Sequence, residues 1–476
     1  MATLRKGTEL DCSVDKLAFG GRAVARVDGF VVFLDRALPG QKVRARVVKK
    51  RKNYAEAVVL EVLEASPHQV EPLCTHFGVC GGCRWQDLDY GEQLAWKRRH
   101  VQECLEHLGD VLEAPVGEVV PSPRTECYRN KMEFTFSGYR WLSPEEIARK
   151  DETFDRSFAL GLHVRGHFDR VFDIGDCRLQ SPEAMDIVAA VRDFARGSGL
   201  PPYSIREHRG CWRFLVIREG KRTGQRLVHL ITGDVPGAEE AVDSLGDFLR
   251  ETFPHITTCI HSVNRTRAQV AQGDDERILW GPGVIEEQLG DLRFRISAQS
   301  FFQTNPMAAE HLYQTALDFA GLEGSETVWD LYCGTGSIAL FVARHARKVA
   351  GFEVVESAIE DAYRNAALND VDNCVFRVGD LKDVIRDPAL RGPGVDLPDV
   401  VITDPPRAGM HPHVVQALLE LAPQRIVAVS CNPATLARDL ALLLPKYRVC
   451  RVQPFDLFPH TPHVECVVQL DRKSKA

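Results

Sequence analysis

Two side chains in the C-terminal part of the sequence have the types and positions that covalent catalysis requires. Cys431 follows the apolar run 426–430, and Asn432-Pro433 ends that run, so the thiol is better placed as a nucleophile than as a small buried side chain. Glu465 precedes the apolar run 466–470, where partial burial would raise its pKa towards that of a general base. The alternative for Glu465 is an exposed carboxylate on a strand.

Glycines and carboxylates after other apolar runs could bind a nucleoside. Gly334 and Gly336, in Asp330-Leu-Tyr-Cys-Gly-Thr-Gly-Ser337, allow a tight turn close to a ligand. Glu353 could accept both hydroxyls of a ribose and Asp380 an exocyclic amine, although either acid alone could instead cap a helix. The sequence has no GxGxxG motif at this turn, which makes NAD less favoured than S-adenosylmethionine, a nucleoside ligand without phosphates.

The segment Asp404-Pro-Pro-Arg407 follows a fourth apolar run. Its prolines fix the backbone and present Asp404 to the same cleft. Adenine N6-methyltransferases resemble this segment, but they place an aromatic residue where Arg407 stands, which disfavours an adenine target. A thiol, a separate base and a methyl donor are instead the minimal set for methylation of a pyrimidine at C5. Addition of the thiolate to C6 makes C5 nucleophilic, and the base then removes the C5 proton.

These residues come together only if the strands that carry them end at one edge of a sheet. Residues 291–476 alternate strand and helix patterns, which predicts a doubly wound parallel sheet with its ligands at the carboxyl ends of the strands. The predicted strands cover residues 327–331, 349–352, 374–378, 400–403, 426–430, 448–455 and 464–470.

Two further domains are predicted before residue 291. Residues 1–66 alternate apolar and polar positions between glycine-bearing turns, which indicates a small OB-like β-barrel with a basic hairpin tip at 49–53. Residues 67–290 have the pattern of a mixed α/β domain. Its predicted elements are a helix over 87–107, with Leu94, Val101, Leu105 and Leu108 at helical spacing, and strands at 116–120, 131–136, 213–217 and 227–232.

The distribution of charge favours a nucleic-acid partner for the barrel. The chain has a net charge of −7, yet residues 1–66 hold 13 Lys and Arg against 8 Asp and Glu, while the remainder holds 46 against 58. The tip at 49–53 could follow a phosphate backbone or could be a solvated turn. No signal peptide or membrane span is evident, so we expect a cytoplasmic protein with reduced cysteines.

Cys74, Cys80 and Cys83 form a Cys-x5-Cys-Gly-Gly-Cys segment that is typical of metal binding. The two glycines allow the backbone to fold around a bulky centre. Zinc and a four-iron cluster are both compatible with thiolate ligands, and either needs a fourth ligand.

Together these segments resemble the RNA uracil-C5-methyltransferases, which make 5-methyluridine, and among them the bacterial enzymes that act on 23S ribosomal RNA. The matching segments are 297–303, 330–336, 404–409, 430–435 and 458–465. The resemblance implies that Cys431 is the nucleophile and that Glu465 is the proton-abstracting base. It implies that the methyl-donor and uracil sites are formed by Gln303, Tyr332, Gly334, Gly336, Ser337, Glu353, Asp380 and Asp404.

The same resemblance extends to the other domains. Members with this cysteine segment carry a [4Fe-4S] cluster with a distant fourth ligand, which matches Cys177; zinc is the alternative. The barrel resembles a TRAM domain, an RNA-binding module, through residues 15–24. The implied architecture is a TRAM β-barrel (1–66), a central α/β domain with the iron-sulfur cluster (67–290) and a Rossmann-like class I methyltransferase α/β domain (291–476).

Three alternatives remain open. A cytosine C5-methyltransferase would share the thiolate chemistry, and a tRNA uridine C5-methyltransferase would differ in its substrate. A non-catalytic RNA-binding assembly factor would use a degenerate scaffold, against which the intact Cys431 and Glu465 count. We expect a monomer that acts in rRNA processing, with RNA as its partner (23S rRNA, or else tRNA) and without membrane association.

Overall fold

The computed structural model describes residues 4–111 and 115–474. The N-terminal part is a closed barrel with strand order β1-β2-β3-β5-β4. Its strands are β1 (Glu9–Leu17), β2 (Ala23–Val27), β3 (Phe30–Asp35), β4 (Lys42–Lys50) and β5 (Tyr54–Glu64). Asp28 and Gly29 join β2 to β3 with positive φ at both positions, as a two-residue hairpin turn requires. The predicted barrel is confirmed, and the basic tip lies in the hairpin between β4 and β5.

The central part contains an eight-stranded mixed sheet with order β13-β12-β11-β10-β6-β8-β9-β7. Its elements are α1 (Tyr90–Leu108), β6 (Lys131–Ser137), β7 (Arg140–Trp141), α2 (Pro144–Ala148), β8 (Ala159–His163), β9 (Val171–Asp173), α3 (Pro182–Gly197), β10 (Trp212–Glu219), β11 (Arg226–Thr232), α4 (Ala238–Thr252), β12 (Thr258–Val263) and β13 (Asp275–Trp280). The core of this part includes Val191 of α3 and Leu245 of α4, packed with apolar side chains of β10 and β11.

The C-terminal part is a seven-stranded sheet with order β18-β17-β16-β19-β20-β22-β21. Its elements are β14 (Val284–Leu289), β15 (Leu292–Ser297), α5 (Pro306–Ala320), β16 (Thr327–Leu331), α6 (Ser337–Ala343), β17 (Lys348–Glu353), α7 (Glu356–Leu368), β18 (Cys374–Val378), α8 (Leu381–Val384), α9 (Pro388–Arg391), β19 (Val400–Thr403), α10 (Pro412–Leu421), β20 (Arg425–Ser430), α11 (Pro433–Leu443), β21 (Tyr447–Phe455) and β22 (Glu465–Arg472).

The predicted doubly wound sheet is confirmed, with each predicted strand within two residues of its observed bounds. Strands β16 to β20 are parallel, and β22 runs antiparallel to β20 and β21. The chain reverses its direction of winding after β18, so β16 and β19 become neighbours. Ligands in such sheets bind at this crossover, beyond the carboxyl ends of the strands.

One detail of the central prediction is wrong. Residues 116–120 form isolated bridges to β21 instead of a strand. Leu108 is 56% exposed, because the apolar face of α1 packs through Val101 and Leu105 against α11 and ends before Leu108. Within the described residues, no helix combines the length and the apolar content that crossing a membrane requires.

Candidate active site

Cys431 and Glu465 lie near each other at the carboxyl edge of the parallel sheet, where the charge of Glu465 acts on the Cys431 thiol. β20 and β22 are antiparallel neighbours, and the last residue of β20, Ser430, is paired with Cys466. Cys431 follows Ser430, and Glu465, the first residue of β22, precedes Cys466, so the two residues flank the last pair of this ladder. The thiol and the carboxyl group can therefore act on one substrate ring.

Burial and like charge raise the pKa values of the acids in this site. Glu465 is buried, and burial together with the neighbouring Asp404 raises its pKa well above the ordinary value. Burial raises the pKa of Asp404 to about 6. Burial, followed by the charges of Glu465 and Asp404, raises the pKa of the Cys431 thiol to about 11. Arg407 opposes the pKa shifts of Cys431 and Glu465, so it favours the thiolate and the carboxylate.

Arg407 also joins the segments that carry these groups. Its guanidinium donates to His463 Nδ1 at 3.0 Å. Burial, followed by the charge of Arg407, lowers the pKa of His463 to about 4, so the imidazole is a neutral acceptor at neutral pH. The Arg407 carbonyl accepts from Asn432 Nδ2 at 3.0 Å and from the Thr435 hydroxyl at 3.3 Å. The loops after β19 and β20 and the loop before β22 are thus tied together around Cys431.

The loop before Glu465 is held by side chains of α1. Lys97 forms an ion pair with Asp456, and both side chains are fully buried. Gln93 Oε1 accepts the backbone N–H of His460 at 2.9 Å. His460 has a φ of 66°, in the left-handed region that non-glycine residues seldom adopt, and the contact with Gln93 holds it there. These contacts fix the path of the chain into β22.

The glycine loop after β16 and the carboxylate after β17 form a second polar region at the same edge. One carboxylate oxygen of Glu353 accepts the backbone N–H of Gly334 at 3.2 Å. The other accepts the backbone N–H groups of Val354 and Val355 at 2.7 and 3.1 Å. Tyr332, Gly334 and Gly336 all have positive φ, which bends this loop sharply. A Cβ atom at Gly334 would meet nothing within 4 Å, so the space beside this loop is open.

Asp330 and Tyr313 contact the residues that follow this loop at the start of α6. The sequence did not indicate either of them as a site residue. Asp330 is fully buried, accepts the Ala339 N–H at 2.9 Å, and has a pKa that burial raises well above the ordinary value. The Tyr313 hydroxyl lies 3.0 Å from the Ser337 hydroxyl. Asp330 opens the predicted glycine motif, so its position was the available signal; Tyr313 lies in an unremarkable helical pattern.

Two of the predicted site residues make structural contacts. Asp380 is exposed and caps α8: it accepts the Lys382 N–H at 3.1 Å, and the Lys382 side chain at 2.9 Å lowers its pKa. This is the cap role that the sequence left open. Gln303 is buried, and its carbonyl accepts from Asn130 Nδ2 at 3.0 Å. Arg218 donates to two carbonyls of the segment before Gln303. Neither Asn130 nor Arg218 belongs to a motif that signals this contact.

Four cysteines line one cavity in the central part, namely Cys74, Cys80, Cys83 and Cys177. Burial raises the pKa values of all four thiols. Cys80 Sγ accepts the Gly82 N–H at 3.3 Å, and Cys83 Sγ accepts from Gln86 Nε2 at 3.5 Å. Across residues 4–111 and 115–474, no three His, Cys, Asp or Glu side chains are gathered as the ligands of a metal ion.

Comparison with known proteins identifies relatives of the whole chain. The pattern of the tRNA (Uracil-5-)-methyltransferase family matches residues 260–473, and that of the TRAM domain matches residues 4–60. A relative from Nitratidesulfovibrio vulgaris, described as an uncharacterized RNA methyltransferase, is 45% identical over 99% of this chain and 98% of its own. A relative from Bacteroides thetaiotaomicron with the same description is 43% identical over 96% of this chain and all of its own.

One solved structure is similar to nearly the whole chain. It is the tRNA (uracil-54, C5)-methyltransferase of Pyrococcus abyssi in complex with S-adenosyl-L-homocysteine, which is 30% identical to this chain. The match covers 97% of this chain and 100% of that chain, with a TM-score of 0.75. The similarity therefore includes the barrel, the central part and the C-terminal sheet.

Proposed function

The chain belongs to the RNA uracil-5-methyltransferase family, and on that premise we propose that it methylates C5 of a uridine in RNA through a covalent bond to Cys431. S-adenosylmethionine supplies an electrophilic methyl group when it is bound. The observation that supports the proposal is the end of the β20–β22 ladder, which brings Cys431 and Glu465 into one region where the charge of Glu465 acts on the thiol.

The two side chains act in sequence on the uracil ring. Cys431 releases its thiol proton to solvent, and the thiolate sulfur bonds to C6, which turns the ring into an enolate and makes C5 a nucleophile. After C5 has gained the methyl group, the Glu465 carboxylate takes the C5 proton, the sulfur–C6 bond breaks and the C5–C6 double bond returns. The pKa of Cys431, about 11, keeps the thiol protonated in the free protein at neutral pH. The positive charge of Arg407 favours the thiolate when the ring arrives.

The donor site is assigned to the loop after β16 together with the carboxylate after β17. Gly334 leaves space for the ligand, and Gly336 bends the loop while it packs against Phe376. Glu353 accepts from the ribose, and Tyr332 contacts the adenosine. The remaining predicted contacts at the donor and uracil sites are Gln303, Ser337, Asp380 and Asp404. The positive φ values of the loop and its position at the crossover between β16 and β19 support this assignment.

RNA that contains 5-fluorouridine tests the catalytic proposal, because C5 then carries fluorine, which a base cannot remove as a proton. Total RNA from 5-fluorouracil-treated cells that lack this gene provides the probe. The unaltered protein with S-adenosylmethionine should form a covalent RNA adduct, and Cys431→Ala should form none. Cys450→Ala, altered on β21 outside the site, is the matched control and should react like the unaltered protein. Absence of an adduct with the unaltered protein would overturn the proposal.

We also propose that Cys74, Cys80, Cys83 and Cys177 hold a [4Fe-4S] cluster. Four thiols lining one cavity are the ligand set of such a cluster, and a zinc site with four cysteines is the alternative. A bound cluster would cross-link the segment 74–83 to the segment before α3. The methylation requires no electron transfer, so the role assigned to these residues is structural.

The proposal also names the RNA that carries the target uridine. We favour 23S ribosomal RNA, because the barrel and the cysteine segment resemble the ribosomal members of the family. The Pyrococcus abyssi enzyme is a tRNA methyltransferase and matches 97% of this chain, which makes tRNA the second candidate. Mapping 5-methyluridine in both RNAs from cells with the gene, without it, or with Cys431→Ala separates the two. Loss from 23S rRNA is expected, and loss confined to tRNA would establish the second candidate.

A further inference from the structure

Four arginines meet where the barrel, the cysteine segment and the loop between β8 and β9 come together. Arg84 Nη1 donates to the Gly20 carbonyl of the barrel at 2.6 Å. Arg165 Nη2 lies 2.6 Å from Asp35 Oδ1 at the end of β3. The Arg36 side chain extends to Gly78: its Nη1 lies 3.8 Å from the point where a Cβ atom on Gly78 would be. With Arg22, these residues form a surface that we call the arginine junction.

The arginine junction carries more positive charge than its neighbours neutralise. Asp35 pairs with Arg165, and Arg22 lies 3.8 Å from Glu56. In the part of the chain that the structure describes, Arg36 and Arg84 form no ion pair. The other three arginines contribute to lowering the pKa of Arg165, after burial, as a concentration of like charge does. Such a surface attracts an anion with several charged groups.

Two exposed aromatic side chains lie in the same loops as two arginines of the junction. Phe168, three residues after Arg165 in the same loop, is 73% exposed, and Phe19, three residues before Arg22, is 43% exposed. Exposed phenylalanines contribute little to a core, but each offers a flat face on which a nucleobase can stack. Basic side chains interleaved with aromatic ones are the pattern of a single-stranded nucleic-acid site.

The arginine junction is continuous with the entrance to the active site. Gly21 packs so tightly on Pro462 that a Cβ atom at Gly21 would lie 3.0 Å from the proline ring. The next residue, His463, contacts Arg407, whose charge acts on Cys431. A strand that lies on the junction can therefore reach the nucleophile without leaving the surface.

We propose that the arginine junction binds single-stranded RNA next to the target uridine, with arginines on phosphates and with Phe19 and Phe168 stacked on bases. This inference rests on the proposed function for the identity of the strand. It assigns phosphate contacts to the junction in addition to those expected at the basic hairpin tip, 49–53.

Binding of a labelled 15-nucleotide oligouridine to the full-length, anaerobically purified protein tests this surface. Fluorescence anisotropy between 50 and 300 mM KCl gives Kd and its salt dependence. The double variant R22Q/R36Q should raise Kd about tenfold or more and lower the slope of log Kd against log salt by about 1.4, as for two lost phosphate contacts on a single strand. Arg364→Gln, an exposed arginine on α7, is the matched control and should bind normally.

Phe168→Ala separates base stacking from charge. It should weaken binding of oligouridine about fivefold or more without changing the salt slope, and it should leave binding of a 15-base-pair RNA duplex unchanged. Ile147→Ala, which removes an exposed apolar side chain from α2, is its control.

The inference is overturned if R22Q/R36Q binds oligouridine like Arg364→Gln, or if Phe168→Ala affects single strand and duplex equally. Thermal unfolding of each variant checks that the fold is intact, and Arg36→Gln alone replaces the double variant if that one is destabilised. These measurements require no methylation. Failure of the proposed function would instead appear as a missing 5-fluorouridine adduct in the unaltered protein.

Discussion

Lys97 and Asp456 form an ion pair in which neither side chain has any exposed area, with Lys97 Nζ 2.5 Å from Asp456 Oδ1. Lys97 also donates to the Phe458 carbonyl at 3.1 Å. The pair joins α1 to the loop that leads into Glu465. Removing one partner of a buried pair leaves an uncompensated charge, which costs far more than the loss of a surface pair.

Lys97→Met should therefore destabilise the protein severely. We expect the free energy of unfolding to fall by about 3–5 kcal/mol in urea denaturation. The double variant K97M/D456L removes both charges and should recover part of this loss. Lys42→Met, which breaks the exposed pair with Glu64, is the control and should cost under about 1 kcal/mol. Equal effects of Lys97→Met and Lys42→Met would show that the buried pair does not hold the loop.

Glu465→Gln should separate methyl transfer from completion of the reaction. The amide cannot take the C5 proton, so a covalent complex between Cys431 and methylated RNA should accumulate with ordinary uridine. Turnover should fall by between about 10² and 10⁴-fold. Mass spectrometry of the ribonuclease-digested complex would detect the methylated nucleotide on Cys431. Glu420→Gln, on the exposed face of α10, should turn over normally, and normal turnover of Glu465→Gln would refute the base assignment.

The sequence predicted the C-terminal sheet closely because its strands are short, buried apolar runs separated by helical patterns. It placed Cys431 and Glu465 at strand ends, but local patterns do not determine that the two lie near each other. Their proximity depends on the pairing of β20 with β22. These strands are neighbours in the sheet although β21 lies between them in the sequence, and tertiary packing decides such a pairing.

The function of α1 was not predictable from its own sequence. Gln93 and Lys97 are polar residues on a helix, and pattern analysis assigns such residues to the solvent face. Both are buried because they contact His460 and Asp456. These partners lie 367 and 359 residues later in the chain, so the sequence around α1 does not reveal them. Asp380 shows the converse: a carboxylate at a strand end suits a ligand or a helix cap equally, and only the structure reveals the cap.

The raised pKa of Cys431 predicts the pH dependence of its alkylation. Below a pKa of about 11, the thiolate fraction rises about tenfold per pH unit, so the rate of reaction with iodoacetamide should increase from pH 7 to pH 10 without a plateau. N-acetylcysteine, with an ordinary thiol pKa, should level off earlier. Peptide mass spectrometry would follow Cys431 separately from the other cysteines. A plateau of Cys431 alkylation near pH 8.5 would contradict the assigned environment.

Arg407→Gln should shift the pH dependence of adduct formation upwards. The positive charge of Arg407 lowers the pKa values of Cys431 and Glu465 below those that burial alone would give, so its loss raises both. Single-turnover adduct formation at pH 7.5 should fall on the order of tenfold and recover as the pH rises. Arg407→Lys keeps the charge and should keep the profile. A uniform loss at every pH would assign Arg407 a role in binding alone.

Cys177→Ser should abolish iron binding, because residue 177 is the only proposed ligand outside the segment 74–83. The unaltered protein, purified without oxygen, should contain about four iron atoms per chain and the broad visible absorbance of a cluster, and the variant should lack both. Cys211→Ser is the matched control: Cys211 is buried in the same central core but does not line the cavity, so its replacement should retain the iron. Full iron content in Cys177→Ser would remove it from the ligand set, and stoichiometric zinc without iron in the unaltered protein would replace the cluster with a zinc site.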